Sequence, residues 1–124
     1  MSESGISLAV VGYRNYTDYE NFCKIIDSTL LEWNSPKITC IISGGASGVD
    51  CLAEKFAKER HISLTIFPAD WKKYGKRAGP RRNTEIIEAC THLIAMPSKK
   101  SIGTLDSIRK AKKESKVVHV KYID

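Results

Sequence analysis

"ITCIISGGASGVDCLAEKFAKE", residues 38–59, carries the reading of the fold. Ile38–Ser43 is a short apolar, β-branched run that reads as a strand. Gly44, Gly45 and Gly48 interrupt it, and from Gly48 to Arg60 Val49, Leu52, Ala53, Phe56 and Ala57 recur at helical spacing. A strand that passes through a glycine turn into a helix is half of a βαβ unit. Bare glycine backbone also lets a ligand approach closely, and the helix that follows offers N–H groups and the positive end of its dipole, which favour an anion. No G-K-[ST] follows the turn, and it is not G-x-G-x-x-G, so neither the P-loop nor the dinucleotide fingerprint is present. A purely structural tight turn stays open as the other reading.

Working outward, the same alternation repeats. "ISLAVVG" (Ile6–Gly12) is an uninterrupted apolar run suited to a strand buried on both faces. Thr17 or Asp18 is placed to cap a helix that carries Phe22, Ile25, Ile26, Leu30 and Trp33 inward. "ISLTIFP" (Ile62–Pro68), "HLIAMP" (His92–Pro97) and "VVHVKYI" (Val117–Ile123) read as three more strands, with helices over about Arg81–Cys90 and Thr104–Glu114. The glycines and proline of "ADWKKYGKRAGPRRN" (Ala69–Asn83) read as a long basic loop. Strands separated by helices of this length imply α/β architecture: one Rossmann-like three-layer domain over residues 1–124, with a mainly parallel five-stranded sheet and helices on both faces.

At 124 residues and 42% hydrophobic content the chain suits one packed core. Its charge is uneven: residues 1–62 hold 6 basic and 8 acidic groups, residues 63–124 hold 14 and 6. That field favours an anionic partner without naming one. Cys23, Cys40, Cys51 and Cys90 have no metal-ligand spacing and sit in apolar segments, as reduced core thiols do, so no metal is expected. No leader pattern precedes Ile6, and no apolar run reaches the ~20 residues needed to cross a bilayer. A soluble protein of the intracellular, cytoplasmic space of a cell or host cell is expected, with no membrane partner; homo-oligomerisation stays open.

In a doubly wound sheet, ligands sit outside the carboxyl ends of the strands. The loops there are "GYRNYTD", with Gly12 and Arg14; "SGGASG", with Ser43, Gly44, Gly45 and Gly48, leading to Asp50; the basic segment with Arg82 and Asn83; and "PSKKSIGT". Ser101, Gly103 and Thr104 repeat the glycine-and-hydroxyl arrangement before a second helix, and the hydroxyls either contact an anion or cap the helix. Arg14, Arg81 and Arg82 offer planar forks for phosphate oxygens. Trp71 and Tyr74 interleave with the lysines; Trp71 reads first as an anchor that packs its loop and second as a stacking platform. For acid or base work the candidates are thin: Asp50, Asp70 and Asp106, with His61, His92 and His119 read as structural.

The ordered blocks "GYRNYTD", "SGGASGVDCLAEKFAKER", "PADWKKYGKRAGPRRN" and "SIGTLDSIRKA" resemble the YspA-like family of the SLOG superfamily, from Ile6 to about Val120. That superfamily also includes DNA-processing protein A and the Lonely Guy phosphoribohydrolases. The resemblance implies a Rossmann-like domain whose G-G-x-x-G and G-T turns bind a nucleotide or nucleotide-derived ligand, with the family's R-N pair on Arg82 and Asn83. In the phosphoribohydrolases the second motif is P-G-G-x-G-T-x-x-E with a catalytic glutamate. Here "SKKSI" separates Pro97 from Gly103, and Ser107 stands where the glutamate would, leaving Asp106 as the substitute. Binding or sensing, with no cofactor required, is therefore expected before catalysis. The alternatives are sequence-independent nucleic-acid binding through Lys72, Lys73, Lys76, Arg77, Arg81 and Arg82, and phosphoribohydrolase activity.

Overall fold

Five apolar runs become one parallel sheet in the computed structural model, which describes residues 5–123. They are β1 (Ile6–Gly12), β2 (Ile38–Ser43), β3 (Ser63–Ile66), β4 (His92–Met96) and β5 (Val117–Val120). Their order is β3-β2-β1-β4-β5, every pairing parallel. Helices α1 (Tyr19–Glu32), α2 (Val49–Glu59), α4 (Ala78–Ala89) and α5 (Ile102–Lys113) connect them, and a short α3 (Trp71–Tyr74) with a 3-10 turn (Gly75–Arg77) precedes α4. The expected α/β, Rossmann-like, three-layer arrangement is present.

Strand alternation divides the core in two. Leu8 and Val10 of β1, Ile41 of β2, and Ile94 and Met96 of β4 meet Phe22 and Ile26 of α1 and Phe56 of α2 on one face. Ala9 and Val11, Ile42, and Leu93 and Ala95 meet Ile86 and Ile87 of α4 and Ile108 of α5 on the other. Both faces of β1 and β4 are covered, which is why these strands read as continuous apolar runs. Cys90 lies in this second cluster, and burial pushes its thiol up to about 11. Cys51 is exposed, contrary to its reading as a core thiol, because it falls on the outward side of α2.

Asp18 caps α1, accepting from the Asn21 N–H at 3.0 Å. The segment expected to be a long loop, Ala69–Asn83, is instead mostly helical, and α4 begins at Ala78 rather than near Arg81. Two local reasons account for this. Asp70 caps α3, accepting from the Lys73 N–H at 3.1 Å. Pro80 falls in the first turn of α4, where a missing N–H costs nothing. α5 likewise starts at Ile102, two residues before the expected Thr104. Ladder bonds continue past the ends of two strands: Phe67 N–H donates to Ser43, Lys121 to Ala95 and Ile123 to Pro97. No helix among the described residues is long and apolar enough to cross a membrane.

Candidate functional site

The strand order reverses between β1, which leads outward to β2 and β3, and β4, which leads the other way to β5. A crevice opens outside the carboxyl ends of strands at such a switch point. A cleft of about 870 Å³ lies there, within the size range of small-ligand sites. Its walls are the loop after β1 (Gly12–Asn15), the start of α2, the α3–α4 corner and the first two turns of α5.

Gly12, Arg14, Asp50, Arg82, Asn83, Ser101, Gly103 and Thr104 all line this cleft, so motifs far apart in the sequence converge on one place. Ser43, Gly44, Gly45 and Gly48 do not form its wall; they stand behind it. Gly48 has φ of +72°, and a Cβ there would run into the Tyr13 carbonyl and Arg14 backbone. The glycine therefore lets the α2 N-terminus press against the β1 loop, where Val49 N–H donates to the Tyr13 carbonyl at 3.1 Å and Ser47 Oγ to the Arg14 carbonyl at 3.0 Å. At Gly44 a Cβ would stand 2.5 Å from Arg82 Nη1 and 2.9 Å from Asp50 Oδ2. Its absence admits the Arg82 guanidinium, which donates to the Gly44 carbonyl at 2.7 Å. Ser43 is buried; its hydroxyl accepts from Gly45 N–H at 3.1 Å and serves the turn, not the cleft.

Arg82 and Asn83 tie the two glycine turns together. Arg82 Nε donates to Asn83 Oδ1 at 3.2 Å, and Asn83 Nδ2 reaches the Gly103 carbonyl at 3.3 Å and Asp106 Oδ2 at 3.2 Å. Asn83 is only 7% exposed and thus pins α4 to the first turn of α5. Burial lowers the Arg82 pKa, with Asp50 opposing and Arg14 adding to the effect. Burial raises that of Asp50, against the pull of the Ala46 N–H at 3.1 Å and of the Arg82 and Arg14 charges. For Asp106 burial works the same way, but Lys110, Asn83 and Arg109 outweigh it and hold the carboxyl below its usual range. Asp106 is therefore an ionised, fully engaged carboxylate rather than a base waiting for a proton.

The two helix starts differ. Ser101, the residue before α5, makes no cap; its hydroxyl instead accepts from the Ser98 N–H at 3.0 Å and contacts Ser98 Oγ at 3.1 Å, bracing the "PSKKS" loop. Thr104 is 7% exposed, lines the cleft and has no side-chain hydrogen bond among the described residues. No polar side-chain atom in that set is both sealed from solvent and unpartnered, so the Thr104 hydroxyl keeps an opening onto the cleft. A Cβ on Gly103 would meet nothing within 4 Å, so the backbone beside it is open as well.

Lys100, Ile102, Leu105 and Arg109 line the cleft as well, outside the expected site residues; α5 begins at Ile102, two residues earlier than expected, and its first two turns form a wall of the cleft. The Asp106–Arg109 spacing, an i,i+3 opposite-charge pair, is the signal that pointed there. Trp71 is 54% exposed; its ring lies close to Gly79 of α4 and forms part of the cleft wall. Asp70 is a cap, and His61, His92 and His119 lie away from the cleft, His92 packing edge-on against Trp33. No group of His, Cys, Asp and Glu among the described residues is arranged to hold a metal.

Sheet order and switch-point cleft define a Rossmann-like α/β protein. Within that class the chain belongs to the YspA, cpYpsA-related SLOG family, whose sequence profile matches residues 6–74. Gene 61 protein of Mycobacterium phage D29 is 34% identical over an 85-residue alignment that covers 64% of this chain and 68% of that one. The X-ray structure of DNA processing protein A from Streptococcus pneumoniae superposes with a TM-score of 0.69 at 20% identity, over 94% of this chain and 50% of that one. The present chain thus spans half the length of that structure, and the likeness is one of fold.

Proposed function

We propose that the cleft binds a nucleotide or nucleotide-derived ligand, with an anionic group at the start of α5 and the base toward Trp71. The carrying observation is the Thr104 hydroxyl: nearly buried, without a protein partner, and open to the cleft. Buried polar groups are almost always paired, so one left pairable at a helix start awaits a partner from outside the chain. Arg14, Arg82, Lys100 and Arg109 outnumber Asp50 and Asp106 around the same space, which suits a net-negative ligand. Trp71, Ile102 and Leu105 supply an apolar rim for a base.

Binding rather than hydrolysis follows from the carboxylates. Ser107 replaces the glutamate that base release uses in the resembling hydrolases, and Asp106 is neutralised by Lys110 and Arg109. The test is calorimetric titration with AMP, GMP, CMP, UMP and inorganic phosphate, alongside chromatography for released base. At least one nucleotide is expected to bind more tightly than phosphate, without turnover. Failure of all four nucleotides to bind, together with no nucleotide released on denaturing the purified protein, would refute the reading. Base release abolished by Asp106→Asn would move the chain to the hydrolases.

A further inference from the structure

The α3–α4 corner presents its inner side to the cleft and a ridge of positive charge to solvent. Lys72 and Lys73 of α3, Lys76 and Arg77 of the 3-10 turn, and Arg81 of α4 are all exposed. The sequence holds no acidic residue between Asp70 and Glu85. Among the described residues none of these five cations is in an ion pair, whereas Arg60 pairs with Asp27, and Arg109 and Lys110 pair with Asp106. The arrangement is locally unfavourable twice over. Like charges crowd together, and Arg77 and Arg81 sit at the positive end of α4, whose first turn contains no acid.

Aromatic groups are built into the same ridge. The Tyr74 ring lies under Arg81 at 4.3 Å and near Lys73 at 5.2 Å, which fixes α3 against α4. Trp71 stands where the ridge meets the cleft, with about half its surface exposed. A solvated basic face needs neither concentration at a ligand cleft nor an aromatic at the junction.

We propose that this ridge carries the sugar–phosphate backbone of a single-stranded nucleic acid whose terminal nucleotide enters the cleft. The proposal rests on the nucleotide reading of the cleft and changes its ligand from a free small molecule to the end of a polymer. Lysines and arginines on phosphates bind without reading sequence, and Trp71 supplies a sequence-tolerant stacking surface. A duplex end is disfavoured because its last base must first unpair and unstack, at a cost of a few kcal/mol.

The test is fluorescence anisotropy with an internally labelled 12-nucleotide DNA of mixed sequence, on wild type and on the triple variant Lys72→Gln, Lys73→Gln, Lys76→Gln. Calorimetry with the tightest-binding mononucleotide runs beside it. With a salt slope of ~0.7 per phosphate contact for single strands, engagement of all five cations predicts an affinity loss of about 100-fold between 50 and 200 mM salt. The triple variant is expected to lose at least ~10-fold for the strand and to keep its mononucleotide affinity, since none of the three lysines lines the cleft. The matching duplex is expected to bind more weakly than the strand. Wild-type strand affinity in the triple variant, equal affinity for duplex and strand, or equal competition by polyglutamate would overturn the proposal. Mononucleotide binding with no preference for the strand overturns the ridge alone; strand binding with no mononucleotide binding overturns the reading of the cleft and, with it, the placement of the strand's end.

Discussion

Thr104→Val separates what the site does for a ligand from what it does for the fold. Thr104 is 7% exposed in the first turn of α5, and its hydroxyl has no partner among the described residues. Valine keeps the shape, and its helix propensity is close to that of threonine, so packing and backbone terms nearly cancel. What remains is relief of a poorly solvated hydroxyl. A sealed, unsatisfied group costs ~1–3 kcal/mol, and an opening to the cleft reduces that, so a gain of about 0.5–1 kcal/mol is expected. For a chain of this length that raises the melting temperature by roughly 2–5 °C. The same change removes a hydrogen bond to an anionic ligand, worth ~1.5–3 kcal/mol, or about 10- to 100-fold in Kd. Urea denaturation and titration with the tightest-binding mononucleotide measure the two effects on one sample, and Thr104→Ser should restore most of the affinity. A variant that is less stable than wild type and binds equally well would show that the hydroxyl belongs to the fold.

Asn83→Ala removes the links from Asn83 to Arg82, Gly103 and Asp106, and should lose about 2–3 kcal/mol in urea denaturation. Asn83→Asp should lose more at neutral pH, because it sets a second carboxylate beside Asp106. Gly48→Ala, strained at φ of +72° and colliding with the Tyr13–Arg14 backbone, should cost at least ~2 kcal/mol, whereas Gly103→Ala, in open space within α5, should be neutral or gain ~0.5 kcal/mol. The two carboxylates give opposite pH signatures in denaturation series. Asp50, raised by burial, contributes most below the ordinary carboxylate pKa and loses that contribution as pH rises through its own higher value. Asp50→Asn should therefore be more stable than wild type at pH 7, with the difference shrinking on acidification. Asp106 is depressed despite burial, by Lys110, Asn83 and Arg109, so its contribution is present above the ordinary value and lost as pH falls through its own lower one. Asp106→Asn should be less stable at pH 7, with the gap closing in acid.

The local part of the fold was legible in the sequence. Apolar runs such as Ile6–Gly12 and His92–Met96 show strands buried on both faces, and the 3.6 period of Phe22, Ile25 and Ile26 shows the face of α1, because each signal is set within a few residues. The strand-end rule also selected most of the cleft, from Arg14 to Thr104, without knowledge of strand order. The helical character of Ala69–Asn83 was hidden, since Gly75, Gly79 and Pro80 read as breakers in isolation. Only position shows Pro80 to be harmless in a first turn, and only packing shows Gly79 close against the Trp71 ring.

Sequence alone determined the five strands, the four long helices, the parallel sheet and the set of loops at one edge, for these follow from periodicity and chain connectivity. Tertiary structure decided which loops form the site. Placing β1 beside β4 is a choice between strands some 80 residues apart, and it puts the reversal of the sheet next to "SIGT" rather than at "SGGASG". The glycines after β2 consequently serve close packing, Gly48 under Arg14 and Gly44 under Arg82, while the open helix start belongs to α5. A glycine looks the same in a sequence whether its missing Cβ makes room for a ligand or for the protein's own backbone, and only the neighbours that the fold brings up can separate the two.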